Sequence, residues 1–235
     1  MRLEQYMTEG INDKGIFKAI FMAGAPGSGK TTVRSKLGGG IDPRTVNTDT
    51  WTEFFGDPPW DEKGEKIKLL TTSQLTLYIK SMLPLWCDGT SSNPTNLMAR
   101  EGLLSGIGYD TGMLWINTSL ESSLERAKKR HERGGRFVPE KTIISAFKQI
   151  NDLKPFYKGR FKYFVEVNND TGELTDDVII KAYKSTGSFF SGDIINPVGR
   201  NRVEELRESG GKYLTDIEGY DENQLKRLVK AWFDK

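Results

Sequence analysis

Cysteine and histidine are nearly missing from this chain: its 235 residues hold one of each. A single Cys87 excludes an internal disulfide and suits a reducing compartment. Its place in an apolar run predicts a small buried packing residue. His131 stands alone in a charged run and is expected at the surface, where a lone ring offers no metal site. No apolar stretch approaches 18 residues and residues 1–10 are polar, so neither a membrane span nor a secretion signal is expected, and the expected location is cytoplasmic. Neither sign of charge is in excess, since 34 Lys and Arg face 32 Asp and Glu, a net of +2. Bulk charge therefore does not make the molecule a polyanion binder, and local basic clusters must carry any such role. The guanine-reading tetrad Asn-Lys-x-Asp is absent. Asp61-Glu62-Lys63-Gly64 matches D-x-x-G, but no apolar strand leads into it, and chance accounts for it. Repeats and low-complexity tracts are absent too. What remains is an ordinary globular composition, 36% hydrophobic and 28% charged, long enough for one sizeable core.

Apolar strand-like runs alternate with helical patterns, which predicts a βαβ series and a parallel sheet of five strands flanked by helices, an α/β fold. The expected strands are Phe17–Met22, Thr45–Asp49, Leu83–Asp88, Met113–Asn117 and Phe161–Asn168. Helices are expected over 65–80, Glu101–Ser105, Leu120–Glu132, from Pro139 to about Leu153, and over Asp176–Tyr183. Beyond about Gly187 the rhythm changes. Residues 188–235 read as a helical C-terminal extension packed on a core of residues 1–187, its last helix opened by Asp221 and Gln224 as a capping box.

The strongest motif is Gly24-Ala25-Pro26-Gly27-Ser28-Gly29-Lys30-Thr31, which satisfies G-x-x-x-x-G-K-[ST] between a strand and a helix that Thr32 continues. Its glycines let backbone N–H groups turn inward around a phosphate chain. Lys30 can reach the terminal phosphates, and the Thr31 hydroxyl is placed to hold Mg²⁺. A nucleoside triphosphate ligand follows from this. Ligands of parallel sheets gather at the carboxyl ends of the strands. Asp49 ends the second strand, where it can take a proton from an attacking hydroxyl or merely cap the next helix. Asp88 ends the third, where it can hold Mg²⁺ through water or cap the turn Asp88-Gly89-Thr90.

A second signal is the run from Glu125 to Arg136. Arg126, Arg130 and Arg133 share a helix face at i, i+4 and i+7, and Gly134-Gly135 then presents Arg136 on a loop. Guanidinium groups closing over phosphates suit phosphoryl transfer, and a solvated helix carrying a Glu125–Lys129 pair shows the same pattern. Weaker signals are the aromatic group Trp51, Phe54, Phe55 and Trp60, which fits core packing better than base stacking, and the basic-aromatic stretch Lys154–Tyr163. Asn168 and Asn169 sit where an adenine could be met.

Gly24–Thr32, Val46-Asn47-Thr48-Asp49, Leu85-Trp86-Cys87-Asp88-Gly89-Thr90, Gly108-Tyr109-Asp110, the Arg130 to Arg136 stretch and Phe137-Val138-Pro139-Glu140 together resemble the small P-loop kinases of the zeta-toxin and polynucleotide-kinase-like group. The resemblance covers roughly residues 16–185. It implies a P-loop NTPase fold, ATP and Mg²⁺ as cofactors, Asp49 as the acceptor-activating acid, and lid arginines at Arg130, Arg136 and Arg126, within a lid of about residues 126–138. The group includes phage-encoded kinases, some of which phosphorylate 5-hydroxymethyluracil in DNA; a phage origin would place the protein in the host cytoplasm. The expected activity is transfer of the γ-phosphate to a hydroxyl of a nucleic acid or nucleotide. A nucleotide-sugar or small-metabolite acceptor is the alternative, and a nucleotide-hydrolysing switch the alternative of another class. Thr50-Trp51-Thr52-Glu53 carries no Arg where polynucleotide kinases usually have one after the catalytic acid, which argues against a plain 5′-hydroxyl kinase.

Overall fold

The computed structural model describes residues 11–37, 40–47, 51, 62–135, 137–170, 175–218 and 220–233. Five strands, β1 (Lys18–Ala23), β2 (Arg44–Val46), β3 (Leu85–Cys87), β4 (Asp110–Asn117) and β5 (Tyr163–Asn168), form one parallel sheet in the order β2-β3-β1-β4-β5. The α-helices among the described residues are α1 (Lys30–Arg34), α2 (Glu62–Lys80), α3 (Pro94–Ile107), α4 (Leu120–Glu132), α5 (Glu140–Arg160), α6 (Asp176–Ser191), α7 (Pro197–Ser209) and α8 (Glu222–Phe233).

Central β1 is buried along its whole length, and the period-2 alternation of its side chains feeds two cores. Ala19, Phe21 and Ala23 point to one face with Leu85, Cys87 and Trp115, where α3, α5 and α8 pack. Ile20 and Met22 point to the other with Trp86, Leu114 and Val167, under Val33 of α1 and Phe190 of α6. Both faces being covered, β1 reads as a continuous apolar run.

Three helices outrun their sequence-based bounds by more than a turn. α3 begins at Pro94, because Asn93 caps it by accepting the Asn96 N–H at 3.1 Å and Pro94 fills the first turn at no hydrogen-bond cost. α5 continues through Pro155 to Arg160, since buried Tyr157 and Phe161 pin its last turn to the sheet and outweigh the lost N–H. α6 carries Gly187 in its interior and ends at Ser191, held by the buried Thr186 and Phe190 on either side.

The chain after α6 is tied down at the amino end of the sheet. Lys18 and its register partner Asp110 form a buried ion pair at 2.7 Å, and Lys18 also donates to the Asp193 carbonyl. Asp110 in turn accepts the Ile195 and Asn196 N–H groups at 3.0 and 2.7 Å. Gly199 of α7 touches Gly108 backbone to backbone: a Cβ there would sit 2.3 Å from the Gly108 oxygen. α8 buries Leu225, Leu228 and Trp232, and Arg100 of α3 donates to the carbonyls of Ala231 and Trp232 at 3.0 and 2.6 Å. The expected boundary at residue 187 thus falls inside α6.

Candidate active site

The loop Gly24–Gly29 leaves the carboxyl end of β1 and turns into α1. Gly27 and Gly29 adopt φ of +86° and +83°, which a residue with a Cβ adopts only under strain. Crowding constrains them further. A Cβ on Gly27 would lie 2.2 Å from the Ser123 carbonyl oxygen of α4, and one on Gly29 would lie 2.3 Å from Asn169 Nδ2. The loop is therefore walled by the first turns of α4 and by the turn after β5. The Asn169 side chain, 4% exposed, donates Nδ2 to the Ser28 carbonyl at 2.7 Å. That amide, one of the two candidates for an adenine contact, thus braces the loop, while the other, Asn168, is exposed.

Lys30 folds back over the loop, its Nζ donating to the Gly24 and Ala25 carbonyls at 2.7 and 3.2 Å. The ammonium thus stands over the loop in which a phosphate chain would lie. Ala25 and Ser28 are buried, Pro26 and Gly27 half-buried, and Thr31 and Thr32 exposed at the start of α1.

Asp88 follows β3, the neighbour of β1. Phe21 registers with Cys87, so Asp88 lies about one strand spacing, roughly 4.8 Å, from Met22. Its carboxylate is 8% exposed and accepts from Asn47 Nδ2 at 3.1 Å, with Arg34 Nη1 at 3.7 Å. Arg34 is steered there by donating to Thr45 Oγ1 at 2.8 Å. The Gly24 N–H reaches the Thr90 carbonyl at 3.4 Å and Ser91 Oγ donates to the Met22 carbonyl at 2.7 Å, tying the loop after β3 to the cradle. Mg²⁺ favours a few oxygen donors completed by phosphate and water. The Thr31 hydroxyl and the Asp88 carboxylate fit that donor set, and among the described residues no group of three acids, histidines or cysteines would hold a metal without the phosphates.

α4 brings the arginine segment to the same edge. Ser119 caps it, accepting the Ser122 N–H at 3.2 Å. Asp170 accepts the Ser119 N–H at 2.7 Å, and these Ser119 hydrogen bonds hold its carboxyl below the usual carboxylate range. Arg126 donates Nη2 to the carbonyls of Asn169 and Asp170, both at 2.7 Å. Its Nη1 is buried, has no partner among the described residues, and lies 3.9 Å from where a Gly29 Cβ would sit. Beyond it, Arg126, Lys129, Arg130, Arg133 and Gly135 line an open hollow of about 370 Å³. The Glu125–Lys129 pair forms at 2.6 Å, and His131 is exposed beside Phe137.

Asp49 and Arg136 lie outside the described residues, as do Phe54, Phe55 and Trp60 of the aromatic group. The basic-aromatic stretch is largely structural: Lys154 pairs with Glu166 at 2.5 Å, Tyr157 and Phe161 are core residues, and Tyr163 packs on Phe189. A cleft of about 250 Å³ opens at the carboxyl end of β3, walled by Asp88 to Asn93 on one side and by Arg100 and Trp232 on the other. Sequence reasoning missed Asn47, Arg34 and Arg100. Asn47 alone carried a signal, standing two residues before Asp49 at the end of its strand.

The profile of an AAA domain family matches residues 20–151, more than half of the chain. No curated protein matches the chain by sequence. Among solved structures, a chain of the Pnkp1/Rnl/Hen1 RNA repair complex is similar with 24% identity and a TM-score of 0.52, over 65% of this chain and 48% of that one. This chain thus spans about half the length of that relative. A structure of the PezAT chromosomal toxin–antitoxin system of Streptococcus pneumoniae is similar with 18% identity and a TM-score of 0.50, over 87% and 92% of the two chains. The fold these likenesses and the sheet order show is the P-loop NTPase fold.

Proposed function

The chain belongs to the AAA domain family, and on that premise we propose that it is an ATP- and Mg²⁺-dependent kinase, moving the γ-phosphate to a hydroxyl. The observation that carries the reading is Arg126. One half of its guanidinium is fixed by two carbonyls, and the other half is buried beside Gly29 with no partner among the described residues. A buried charged donor left without an acceptor is costly, and an anionic oxygen in the cradle would complete it.

In this reading the loop Gly24–Thr32 wraps the triphosphate, and Lys30 exchanges the Gly24 and Ala25 carbonyls for phosphate oxygens. Thr31 and Asp88 would hold Mg²⁺, which would neutralise phosphate charge, and Asp88 would exchange its contact with Arg34 for that role. The acceptor O–H approaches the γ-phosphorus from the cleft beside Asp88. As the new P–O bond forms, the bond to the β-phosphate oxygen breaks, ADP leaves, and the hydroxyl proton passes to Asp49. Arg126, Arg130 and Arg136 offset the charge that spreads over the transferred group.

A hydroxyl of a polynucleotide or nucleotide stands first among acceptors, 5-hydroxymethyluracil in phage DNA included; a nucleotide sugar and a small metabolite follow. The test is incubation with γ-labelled ATP against duplex DNA, hydroxymethyluracil-containing DNA, nucleosides and UDP-sugars. Label on one acceptor class supports the kinase and names its substrate. Release of labelled phosphate with no labelled acceptor would return the chain to the hydrolysing-switch class.

A further inference from the structure

α8 has two working sides. Its last turn puts Trp232 into the wall of the cleft beside Asp88, fixed by Arg100. Its middle turns, with α2, line a second depression of about 460 Å³ whose rim carries Lys68, Lys80, Lys226 and Lys230. The carboxylate on this rim is Glu222, which meets Lys80 at 3.1 Å. In a molecule whose net charge is only +2, four ammonium groups against one carboxylate make a local positive field rather than background.

The chemistry of the rim selects its occupant. Lys68 and Lys80 stand twelve residues apart on one helix, about 18 Å at 1.5 Å per residue. Over that length a polynucleotide backbone presents several phosphate charges. Lysines act as point charges and read no base, which suits backbone contacts independent of sequence. An acidic amphipathic helix would need an apolar floor for anchors one turn apart. Of the apolar residues that line the depression, Leu225 is buried and Val229 half-buried.

We infer that the α2–α8 groove is a track for the phosphodiester backbone of a polynucleotide acceptor, whose reacting hydroxyl enters the cleft walled by Trp232. The inference rests on the kinase reading and narrows its acceptor to a polymer. It makes the C-terminal helix part of substrate recognition.

The experiment is fluorescence anisotropy of labelled 20-nucleotide DNA, single-stranded and duplex, from 50 to 200 mM KCl. The proteins are the parent, a Lys226→Ala/Lys230→Ala double variant, and a Lys181→Ala/Lys184→Ala control on the exposed side of α6. Expected are binding by the parent, about tenfold or greater weakening in the groove variant at 0.1 M salt, and a salt slope shallower by about 1.5. The control should bind as the parent does, and ATP affinity should be the same in all three. Absent DNA binding by the parent, unchanged binding by the groove variant, or displacement by polyglutamate as effective as by DNA would each overturn the inference. Label transfer to a small hydroxyl without DNA binding would remove it and leave the kinase standing. Groove-dependent DNA binding without transfer to any acceptor would sink the kinase reading and the strand's role as acceptor, and leave the backbone track standing.

Discussion

Replacing Gly27 by alanine tests the phosphate cradle most directly, because two separable costs meet at that position. The first is conformational: a φ of +86° costs an alanine about 1–2 kcal/mol. The second is steric, since the new Cβ would lie 2.2 Å from the Ser123 carbonyl. Comfortable separation begins near 3.5 Å, so loop and helix must part by roughly 1 Å. No side-chain rotation relieves a clash with backbone, and such overpacking costs about 1–3 kcal/mol. Gly210→Ala is the matched control, having φ of +69° and no atom within 4 Å of its would-be Cβ. The difference between the two variants isolates the steric cost. At about 2–4 °C per kcal/mol for a chain of this size, Gly27→Ala should melt about 2–12 °C below Gly210→Ala in a thermal scan.

Function should suffer more than stability. Parting the loop from α4 carries Arg126 off the cradle, and a 1 Å misplacement can cost about 10²-fold in rate. Gly27→Ala is therefore expected to transfer phosphate about 10²-fold more slowly, while Gly210→Ala keeps the parental rate. If the two melt together and turn over alike, the loop does not lean on α4, and the packing argument for the cradle fails.

Lys30→Ala and Asp49→Asn should each nearly abolish label transfer, with Asp49→Asn leaving ATP affinity within a few-fold; transfer at the parental rate by the latter would remove Asp49 from the chemistry. Arg126→Lys keeps a charge but cannot hold two carbonyls and reach past Gly29 at once. It should lose about 10²- to 10³-fold in kcat/KM for ATP, and a loss under threefold would make Arg126 a purely structural clamp. Burial pushes the Tyr157 and Tyr163 hydroxyls up to about 12 from an ordinary 10.0. Both are raised, so the stability they contribute is complete below pH 10 and drains away as the pH climbs toward 12. Melting temperature should fall across that interval, ahead of the ionisation of these two hydroxyls in the folded protein near 12, and a flat profile would contradict their burial. Burial also raises the Cys87 thiol, so it should resist alkylation at pH 8 until the chain unfolds.

How much of this could be read from residues alone depends on how far apart the partners lie. The glycine loop was legible because its chemistry sits in eight consecutive residues, and β1 announced itself as a run buried on both faces. What holds the loop was hidden. Asn169 reaches Ser28 across 141 positions, and Arg126 grips carbonyls 43 and 44 positions away, which no periodicity encodes. Asp88 follows a strand end as expected, but its partners come from two other segments: Asn47 is brought alongside by the parallel β2–β3 register, and Arg34 of α1 by its bond to Thr45.

The C-terminal segment shows the same limit from the other side. In the sequence Lys18 lies inside the first expected strand, and Asp110 stands in Gly108-Tyr109-Asp110, ahead of the expected fourth strand. Their worth lies in closing a buried network with Asp193, Ile195 and Asn196 that neither could form alone. A charge buried on one strand demands its opposite on the neighbour, and the remaining carboxylate lone pairs demand N–H groups. The chain after α6 supplies those groups and is thereby committed to a fixed path toward α7 and α8. An Asp110→Asn variant would leave the Lys18 ammonium without its counter-ion, and breaking a buried pair in this way costs about 3–5 kcal/mol. If recognition of the acceptor depends on α8, that variant should lose acceptor affinity together with stability, although Asp110 lies at the end of the sheet opposite to the phosphate loop. Full acceptor affinity in a destabilised Asp110→Asn would mean that α8 is held by Arg100 and its own apolar face, and that the buried network serves the fold alone.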